Sequence, residues 1–290
     1  MEQKSLYICV LVCNGVSMSF NINRLFFTGQ AVPAVSVNSQ PPQRVRFDTN
    51  TPVDSFESTN PVRYTSEYMI NKLASDNKQL QSILKSSGIP YRLNMGELNK
   101  LLQGHCTDTQ RIAEGIVHNL PFALESKADL AAIKDAAYLH DIGKVFIPDE
   151  ILNKTTKLTP QETEIVHKHP ELGYELLKNT GINPKTLLLI RNHHQDAKKS
   201  GYPVVDKQFI ADLDLQILSI ADKYSALTEE RAYKKAMSRE QALTIIRADV
   251  RNGKINPLVY NALVNYTDET AMSPTKQTSN PSRMSLSKNL

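Results

Sequence analysis

A histidine, an aspartate and a lysine lie close together in one short segment at the end of an apolar stretch. His140 and Asp141 are adjacent, and Lys144 follows Asp141 by three residues. Such groups are costly to bury in a helical interior unless something compensates them. A divalent metal ion would compensate the imidazole and the carboxylate, because it accepts nitrogen and oxygen ligands together. The lysine, one helical turn further along, would then face a phosphate as a point charge.

Four more histidine and aspartate side chains fall on the apolar faces of helices that the sequence predicts. They are His169, His193, His194 and Asp222. A single core-facing histidine usually only hydrogen-bonds to a carbonyl, but several that converge on one interior are typical of a metal site. His118 and His167 fall off these faces, and we expect both to be solvated.

A ligand set of histidine and aspartate without cysteine suits iron, manganese, nickel or zinc in five- or six-coordination. It differs from closed structural zinc sites, which favour thiolates. Asp141 has two oxygens and could bridge two ions. Two ions about 4 Å apart activate a hydroxide between them, and this arrangement serves phosphoester cleavage.

The helices that must position these groups carry clear N-terminal signals. The signals are Ser126-x-x-Asp129, Thr159-Pro160-Gln161-Glu162, Asn183-Pro184 and Ser238-x-x-Gln241. They predict single helices over 128–141 and 160–180, among others, and no stretch alternates convincingly with period two. The predicted fold class is therefore all-α, a helical bundle of about seven helices.

The flanks differ in composition from this core. Residues 1–62 are predicted to be a disordered arm or linker, since 19–62 is rich in Asn, Ser, Thr, Pro and Gln without periodicity. An amphipathic helix is predicted within 63–90, followed by the main domain over 91–268. The polar stretch 269–290 is predicted to be a short disordered tail.

Composition excludes several classes of partner. The net charge is +4 and comes without an arginine-rich stripe, which argues against bulk nucleic-acid binding. The apolar stretch "LYICVLVC" is too short to span a bilayer, so no membrane association is expected. Three cysteines, odd in number and without zinc-ligand spacing, indicate a reducing interior. We therefore expect a cytoplasmic location.

Over residues 97–268 the chain resembles the HD-GYP family, the branch of metal-dependent HD phosphohydrolases that hydrolyses cyclic di-GMP. The resemblance rests on "LHDIGKVFIPDEILNKTTKLTPQETEIVHKHPELGYELL", "RNHHQDAKKSGYP" and "ADKYSALTEERAYKKAMSREQAL". It implies a bundle of the HD phosphohydrolase type. It also implies a phosphodiesterase that opens the ring of cyclic di-GMP by a hydroxide bridging two divalent ions, with iron or manganese expected.

The resemblance also implies roles for individual residues. Metal ligands would be His140, Asp141 as the bridging carboxylate, His169, His193, His194 and Asp222. Lys144, Arg231 and Lys234 would bind phosphate, and Tyr202 of the GYP segment would line the substrate pocket. The implied partners are a cyclic dinucleotide and, through the GYP loop, a signalling protein.

The first metal ligand has two candidates. The family places a histidine before an Arg-hydrophobic-Ala segment with two residues between them, and Arg111-Ile112-Ala113 puts Asp108 at that position. His105 lies one turn earlier on the same face, and either side chain could bind a divalent ion. If His105 is the ligand, the helix must be rotated or unwound near Gly104. In some members of the family a glutamate one turn before the first histidine recruits a third ion. Here the corresponding positions are Gly104 and Leu101, so the resemblance implies two ions.

Three departures from the family pattern leave alternatives to the favoured function. Gln195 replaces a glutamate, Lys198 and Lys199 replace an Asp-Gly pair, and Ser225 replaces a second aspartate. Such neighbours of metal ligands orient them and tune affinity. One alternative is a module that keeps metal but is weakly active or inactive and acts in binding or signalling. Another is a phosphohydrolase for a different nucleotide.

Overall fold

The computed structural model describes residues 9–13, 16–20, 64–230 and 235–272. The chain divides into two compact units, Met1–Asp54 and Ser55–Leu290. Within the described ranges, none of the helices combines the length and the apolar character needed to cross a bilayer.

The first unit contains a two-stranded antiparallel hairpin. Strand β1 is Cys9–Cys13 and strand β2 is Val16–Phe20, and Cys13 pairs with Val16 at the closed end. Regular structure is thus present in a stretch where the sequence analysis expected a disordered arm. The missed sequence signal is the Asn14-Gly15 pair between CVLVC and VSMSF, because Asn-Gly is a strongly preferred connection of tight hairpins. The remainder of the predicted arm, and the tail beyond 272, lie outside the described residues.

The second unit is helical, which confirms the predicted all-α class for it. Its α-helices are α1 Glu67–Asp76, α2 Lys78–Ser86, α3 Met95–Leu101, α4 Thr107–His118, α5 Phe122–Glu125, α6 Leu130–Leu139, α7 Asp149–Leu152, α8 Pro160–Val166, α9 His169–Leu177, α10 Pro184–Asn192, α11 Leu213–Thr228, α12 Arg239–Arg251 and α13 Pro257–Met272. A π-helical turn, Leu102–Cys106, joins α3 to α4, and a 3-10 turn, Ile142–Phe146, follows α6.

Helix α6 lies at the centre of the unit, and apart from Lys134 and Asp135 its residues are apolar or aromatic. It packs against α4, α10 and α11, while α9 packs against α10 and the 3-10 turn. Ile133 and Ala136 of α6 are fully buried, as are Leu172 of α9 and Leu218 of α11. Burial of one such side chain contributes roughly 1.5–3 kcal/mol to the free energy of unfolding. Helices α4, α9, α10 and α11 therefore form a rigid frame around the end of α6.

Two predicted helices divide in the structure. The amphipathic stretch within 63–90 breaks at Asn77, which caps α2 by accepting from Leu80 N and donates to Glu175 O of α9 at 2.6 Å. The predicted helix over 160–180 breaks after Val166. Pro170 lies in the first turn of α9, and a proline has no N–H with which to continue a preceding helix.

The capping signals are mostly confirmed. Both Thr159 and Ser238 form complete capping boxes, and Asn183 caps α10. The box assigned to Ser126 is wrong. Asp129 itself caps α6 and accepts from Ala132 N, because its short carboxylate already satisfies the first free N–H groups.

The 3-10 turn approaches α9 closely at Gly143. A β-carbon at this position would lie 2.0 Å from the carbonyl oxygen of His169 and 2.6 Å from Gly173 N. Both are backbone atoms, which cannot rotate away. The 3-10 turn and the start of α9 can therefore approach this closely only because residue 143 has no side chain.

We expect Gly143→Ala to lower the free energy of unfolding by about 3 kcal/mol, because the added methyl group overpacks rigid backbone. Gly96→Ala in α3 is the matched control, since its β-carbon would come no nearer than 4.0 Å to Asn94. The control variant should stay within about 1 kcal/mol of the wild type. Urea unfolding followed by circular dichroism measures both, and equal effects would contradict the close packing.

Candidate metal centre

Seven of the eight side chains predicted to bind metal converge around the end of α6. They are His105, His140, Asp141, His169, His193, His194 and Asp222. His140 and His193 follow the last residues of α6 and α10, and His169 opens α9. Each of these three rings is oriented by a backbone carbonyl three residues earlier, in the last turn of α6, α8 or α10.

Three imidazoles share one hydrogen-bonding pattern. Nδ1 of His140 donates to Ala137 O at 2.8 Å, and Nδ1 of His193 donates to Ile190 O at 2.8 Å. Nδ1 of His169 likewise donates to the carbonyl of the residue three positions earlier, at 2.7 Å. A carbonyl only accepts, so Nδ1 carries the proton in each ring. In the neutral ring, Nε2 then points a lone pair at the centre.

The carboxylate of Asp141 lies between two groups of these nitrogens. Its Oδ1 is 3.2 Å from Nε2 of His169 and 4.0 Å from Nε2 of His193. Its Oδ2 is 3.5 Å from Nε2 of His140 and 3.8 Å from Nε2 of His105. Asp141 Oδ1 is buried and receives no hydrogen bond from the described residues. One carboxylate thus faces two separate donor groups.

The two groups have ligand atoms close enough to share an ion. The first donor group is formed by His105, His140 and Asp222, and the second by His169, His193 and His194. Within each group the ligand atoms lie within 4.8 Å of one another. Cys106 offers a sulfur at a similar distance from His140 and Asp141, which the sequence analysis did not foresee. Burial raises the pKa of the Cys106 thiol well above its usual value, so it is neutral.

Protonation follows from burial and from the two carboxylates. Burial lowers the pKa of His169, holds that of His193 well below its usual value, and lowers that of His194 to about 3. Burial also disfavours charged His140, but Asp141 and Asp222 outweigh it and raise the pKa of His140 to about 10. Burial likewise opposes ionisation of Asp141, but Lys144 and His140 hold its pKa well below the usual range.

These residues fit divalent ions. Neutral His169 and His193 bring two Nε2 lone pairs to 3.2 Å, and Asp141 Oδ1 adds a third acceptor beside them. Acceptors packed this closely repel one another unless a cation lies among them. On the other side, the carboxylates already hold a proton on His140, a position that a metal ion would take instead.

His105 reaches the centre because it lies in the π-helical turn. Its Nε2 is 3.0 Å from Asp222 Oδ1 and 3.4 Å from Nε2 of His140. A π turn holds one residue more than an α turn, which rotates the side chains before it relative to those after it. This is the distortion near Gly104 that the sequence analysis required for His105 to be a ligand.

The structure does not bring Asp108 into the centre. Its side chain is 51% exposed and pairs with Nη2 of Arg111 at 3.0 Å, one turn along the same helix face. Asp108 and Arg111 therefore lie on the outer face of α4, whereas Ile112 and Ala113 are buried in the core. The π turn separates that register from the inward-facing residues.

Ser225, which stands in place of a family aspartate, contacts His105. Its Oγ lies 3.0 Å from Nδ1 of His105, and both residues are buried. A hydroxyl can accept from Nδ1 as an aspartate would, and so fixes the tautomer that leaves Nε2 facing the centre. It does so without a second negative charge.

The GYP loop covers one side of the second donor group. The ring of Tyr202 stacks on His167 at 3.7 Å between centroids and lies 4.5 Å from the ring of His194. Burial raises the pKa of Tyr202, with a further contribution from Asp141. The expectation that His167 is solvated holds in part, because the residue is partly buried and its ring is the outer plate of this stack. His118 is half exposed and pairs with Glu125.

Gln195 fixes the loop that carries Tyr202. Its Nε2 donates to Pro203 O at 2.5 Å, and its Oε1 accepts from Gly201 N at 3.3 Å. A β-carbon on Gly201 would lie 1.8 Å from the carbonyl oxygen of His194, so the loop also packs directly against the backbone of this residue. A glutamate could accept from Gly201 N but could not donate to Pro203 O.

The two lysines that replace Asp-Gly lie on the outer part of the loop. Lys199 has a φ of 57°, a conformation that favours glycine, and its ammonium donates to the carbonyl of Lys207. Lys198 N donates to Asp196 Oδ1 at 2.8 Å. The hydrogen bonds of Asp196 and of the Lys199 ammonium hold the outer part of the loop in place.

Of the three residues predicted to bind phosphate, one lies within the described part of the chain. Lys144 lies at the centre, with Nζ 2.7 Å from Asp141 Oδ2. Arg231 and Lys234 lie outside the described residues, and their roles stay predictions.

A family model described as "HD domain" matches residues 97–259. Among curated proteins, the chain is 30% identical over 210 residues to the cyclic di-GMP phosphodiesterase response regulator RpfG of Xanthomonas campestris, covering 70% of this chain and 55% of that one. It is 35% identical over 165 residues to the 3'3'-cGAMP-specific phosphodiesterase 2 of Vibrio cholerae, covering 55% and 31%.

A cyclic di-GMP phosphodiesterase of Thermotoga maritima is 34% identical over 147 residues, covering 50% of this chain and 39% of that one. The matched segment thus spans about half or less of the length of these relatives.

We expect His105→Ala to weaken metal binding at least about 100-fold, since it removes a nitrogen from the first donor group. Asp108→Ala is the matched control on the same helix and should keep the metal content of the wild type. Elemental analysis after dialysis and titration calorimetry measure both variants. The reverse ranking would restore Asp108 as the ligand.

We expect Gln195→Glu to loosen the GYP loop, because a carboxylate would face the carbonyl of Pro203 without a proton to donate. The unmade hydrogen bond costs about 1–3 kcal/mol. Hydrogen–deuterium exchange over residues 196–204 should therefore become faster. Gln110→Glu is the control, since Gln110 also donates to a backbone carbonyl, that of Lys134, but far along α4. Unchanged exchange in the Gln195 variant would contradict its role.

Proposed function

The chain belongs to the HD domain family, in its HD-GYP branch, and on that premise we propose that it is a metal-dependent phosphodiesterase that hydrolyses cyclic di-GMP. Relatives from Xanthomonas and Thermotoga carry that activity in their names. The observation that carries the proposal is the buried carboxylate of Asp141, which faces a separate nitrogen-rich group with each oxygen.

The residues would divide two divalent ions between them. His105, His140 and Asp222 would hold one ion, His169, His193 and His194 the other, and Asp141 would contact both. Such a pair supplies an activated water nucleophile and neutralises charge on the phosphate. Iron or manganese is the proposed metal, because imidazole and carboxylate ligands in an open, mixed set suit both.

The side chains around the ions would position the substrate. Lys144 lies within hydrogen-bonding distance of Asp141, so its ammonium is next to the place that a phosphate must reach. It would donate to a phosphate oxygen and take up negative charge that develops during cleavage. Arg231 and Lys234 are proposed to act on the same phosphate. Tyr202, stacked against His194, would form a wall of the pocket.

A second candidate function rests on the surface next to the GYP loop. Val204 is 91% exposed and Ile210 is 80% exposed, and both follow Tyr202 closely in sequence. Exposed apolar side chains beside a signature loop support docking of a signalling protein. In that case the metal centre would be structural or weakly active, in keeping with the changed residues Gln195 and Ser225.

We also propose a cytoplasmic location. The support is the odd number of cysteines together with the free thiol of Cys106, which is buried in the core.

The proposed function predicts different losses for two neighbouring residues. Asp141→Asn should remove both turnover and bound metal, because one change affects both donor groups. Lys144→Ala should keep the metal but slow hydrolysis of cyclic di-GMP about 100- to 1,000-fold. Lys154→Ala is the matched control, since it breaks an ion pair of the same length, 2.7 Å, to Glu162.

Hydrolysis is measured with iron or manganese supplied, using cyclic di-GMP, 3'3'-cGAMP and a simple phosphodiester as substrates. Hydrolysis of 3'3'-cGAMP alone would transfer the proposal to that nucleotide. A metal-loaded protein that turns over none of the three would leave the docking function in its place.

A further inference from the structure

A cavity of about 360 Å³ opens directly beside the candidate metal centre. His194 and Asp222 form one end of it. Gln216 and Lys223 line the side that α11 provides, and Asp249 of α12 lies opposite. A volume of this size lies within the range of small-molecule sites and exceeds what a few ordered waters need.

The cavity lies on the accessible side of the centre. The side chains of His140, His169 and His193 are at most 1% exposed, whereas Asp222 is 12% exposed and His194 is 27% exposed. Among the described ligands, access is therefore greatest where the cavity begins. A diester whose scissile phosphate meets Asp141 would extend its adjoining nucleoside into this space.

Most polar groups in the walls are already engaged within the protein. Gln216 donates to Ala211 O at 2.7 Å and accepts from Asn256 N at 2.7 Å, which uses both ends of its amide. Asp196 accepts from Ser200 N at 3.1 Å and from Lys198 N at 2.8 Å. These groups hold the walls in shape.

The Lys223–Asp249 ion pair, which also lines the cavity, has hydrogen-bonding capacity left. Lys223 donates to Asp249 Oδ2, and the two side chains are 38% and 18% exposed. An ammonium has three donors, and a carboxylate accepts at about four positions, so both can take a further partner. The pair thus presents the Lys223 ammonium as a hydrogen-bond donor, next to the Asp249 carboxylate, which can accept two hydrogen bonds.

We propose that Lys223 and Asp249 read a guanine base of the substrate. Asp249 would accept from the ring N1–H and the 2-amino group, and Lys223 would donate to O6. Only guanine among the common bases presents two adjacent donors followed by a carbonyl on that edge. Adenine has no hydrogen on N1 and no 2-amino group, so it would leave part of the carboxylate unpaired. This inference rests on the proposed function and adds the base to it.

The test uses the metal-loaded full chain and three cyclic dinucleotides. They are cyclic di-GMP, its inosine analogue without the 2-amino group, and cyclic di-AMP. Wild type should prefer cyclic di-GMP to both others. Asp249→Asn should raise KM for cyclic di-GMP about 10- to 100-fold, keep the metal content, and abolish the preference over the inosine analogue. Lys223→Met should reduce the preference over cyclic di-AMP.

Glu114→Gln is the matched control. It removes the carboxylate of the Lys134–Glu114 pair, whose lysine is similarly exposed at 36% but which lies between α4 and α6. Its substrate preferences should equal those of the wild type.

Two outcomes separate this inference from the proposed function. If wild type hydrolyses cyclic di-GMP and Asp249→Asn keeps the full preference, the base assignment is wrong while the phosphodiesterase proposal stands. If wild type hydrolyses none of the three, the proposed function fails. The base assignment is then decided by the Kd values of the same dinucleotides, measured by calorimetry, and equal values for wild type and Asp249→Asn would overturn it.

Discussion

The cluster of histidines and aspartates inside the helical unit requires positive charge, and the protein's own side chains provide only part of it. The Nε2 lone pairs of His169 and His193 and two aspartates meet at the end of α6, and Asp141 Oδ1 has no hydrogen-bond donor among the described residues. Lys144 and a proton on His140 compensate one side. The other side depends on a cation from outside, since like partial charges at about 3 Å repel strongly in a low-dielectric interior.

Much of this arrangement could be predicted from sequence because it follows helical periodicity. His140, His169, His193 and Asp222 each lie one turn from a buried aliphatic residue, so their convergence follows from the pattern that forms the core. The first ligand could not be chosen in this way. A π turn has no periodicity signal of its own, and the regular register of Arg111 and Ile112 favoured Asp108.

Side-chain partners across the loop were also beyond reach of the sequence. Nothing in the spacing of His167 and Tyr202 indicates that their rings stack, because the contact joins segments 35 residues apart. The meaning of Gln195 likewise became clear only from its two backbone partners. Substitutions that read as losses from a family pattern make hydrogen bonds here: Ser225 bonds to His105, and Gln195 bonds to the backbone of the loop.

The stack of His167, Tyr202 and His194 joins the surface of the protein to a metal ligand in one step. A molecule that bound the loop and drew Tyr202 outward would remove one wall from His194 and so change the affinity of the centre for its ion. Thermodynamic linkage makes this relation reciprocal. Binding of a metal ion would then change the affinity of the loop for that molecule, so the loop would sense whether the centre is loaded with metal.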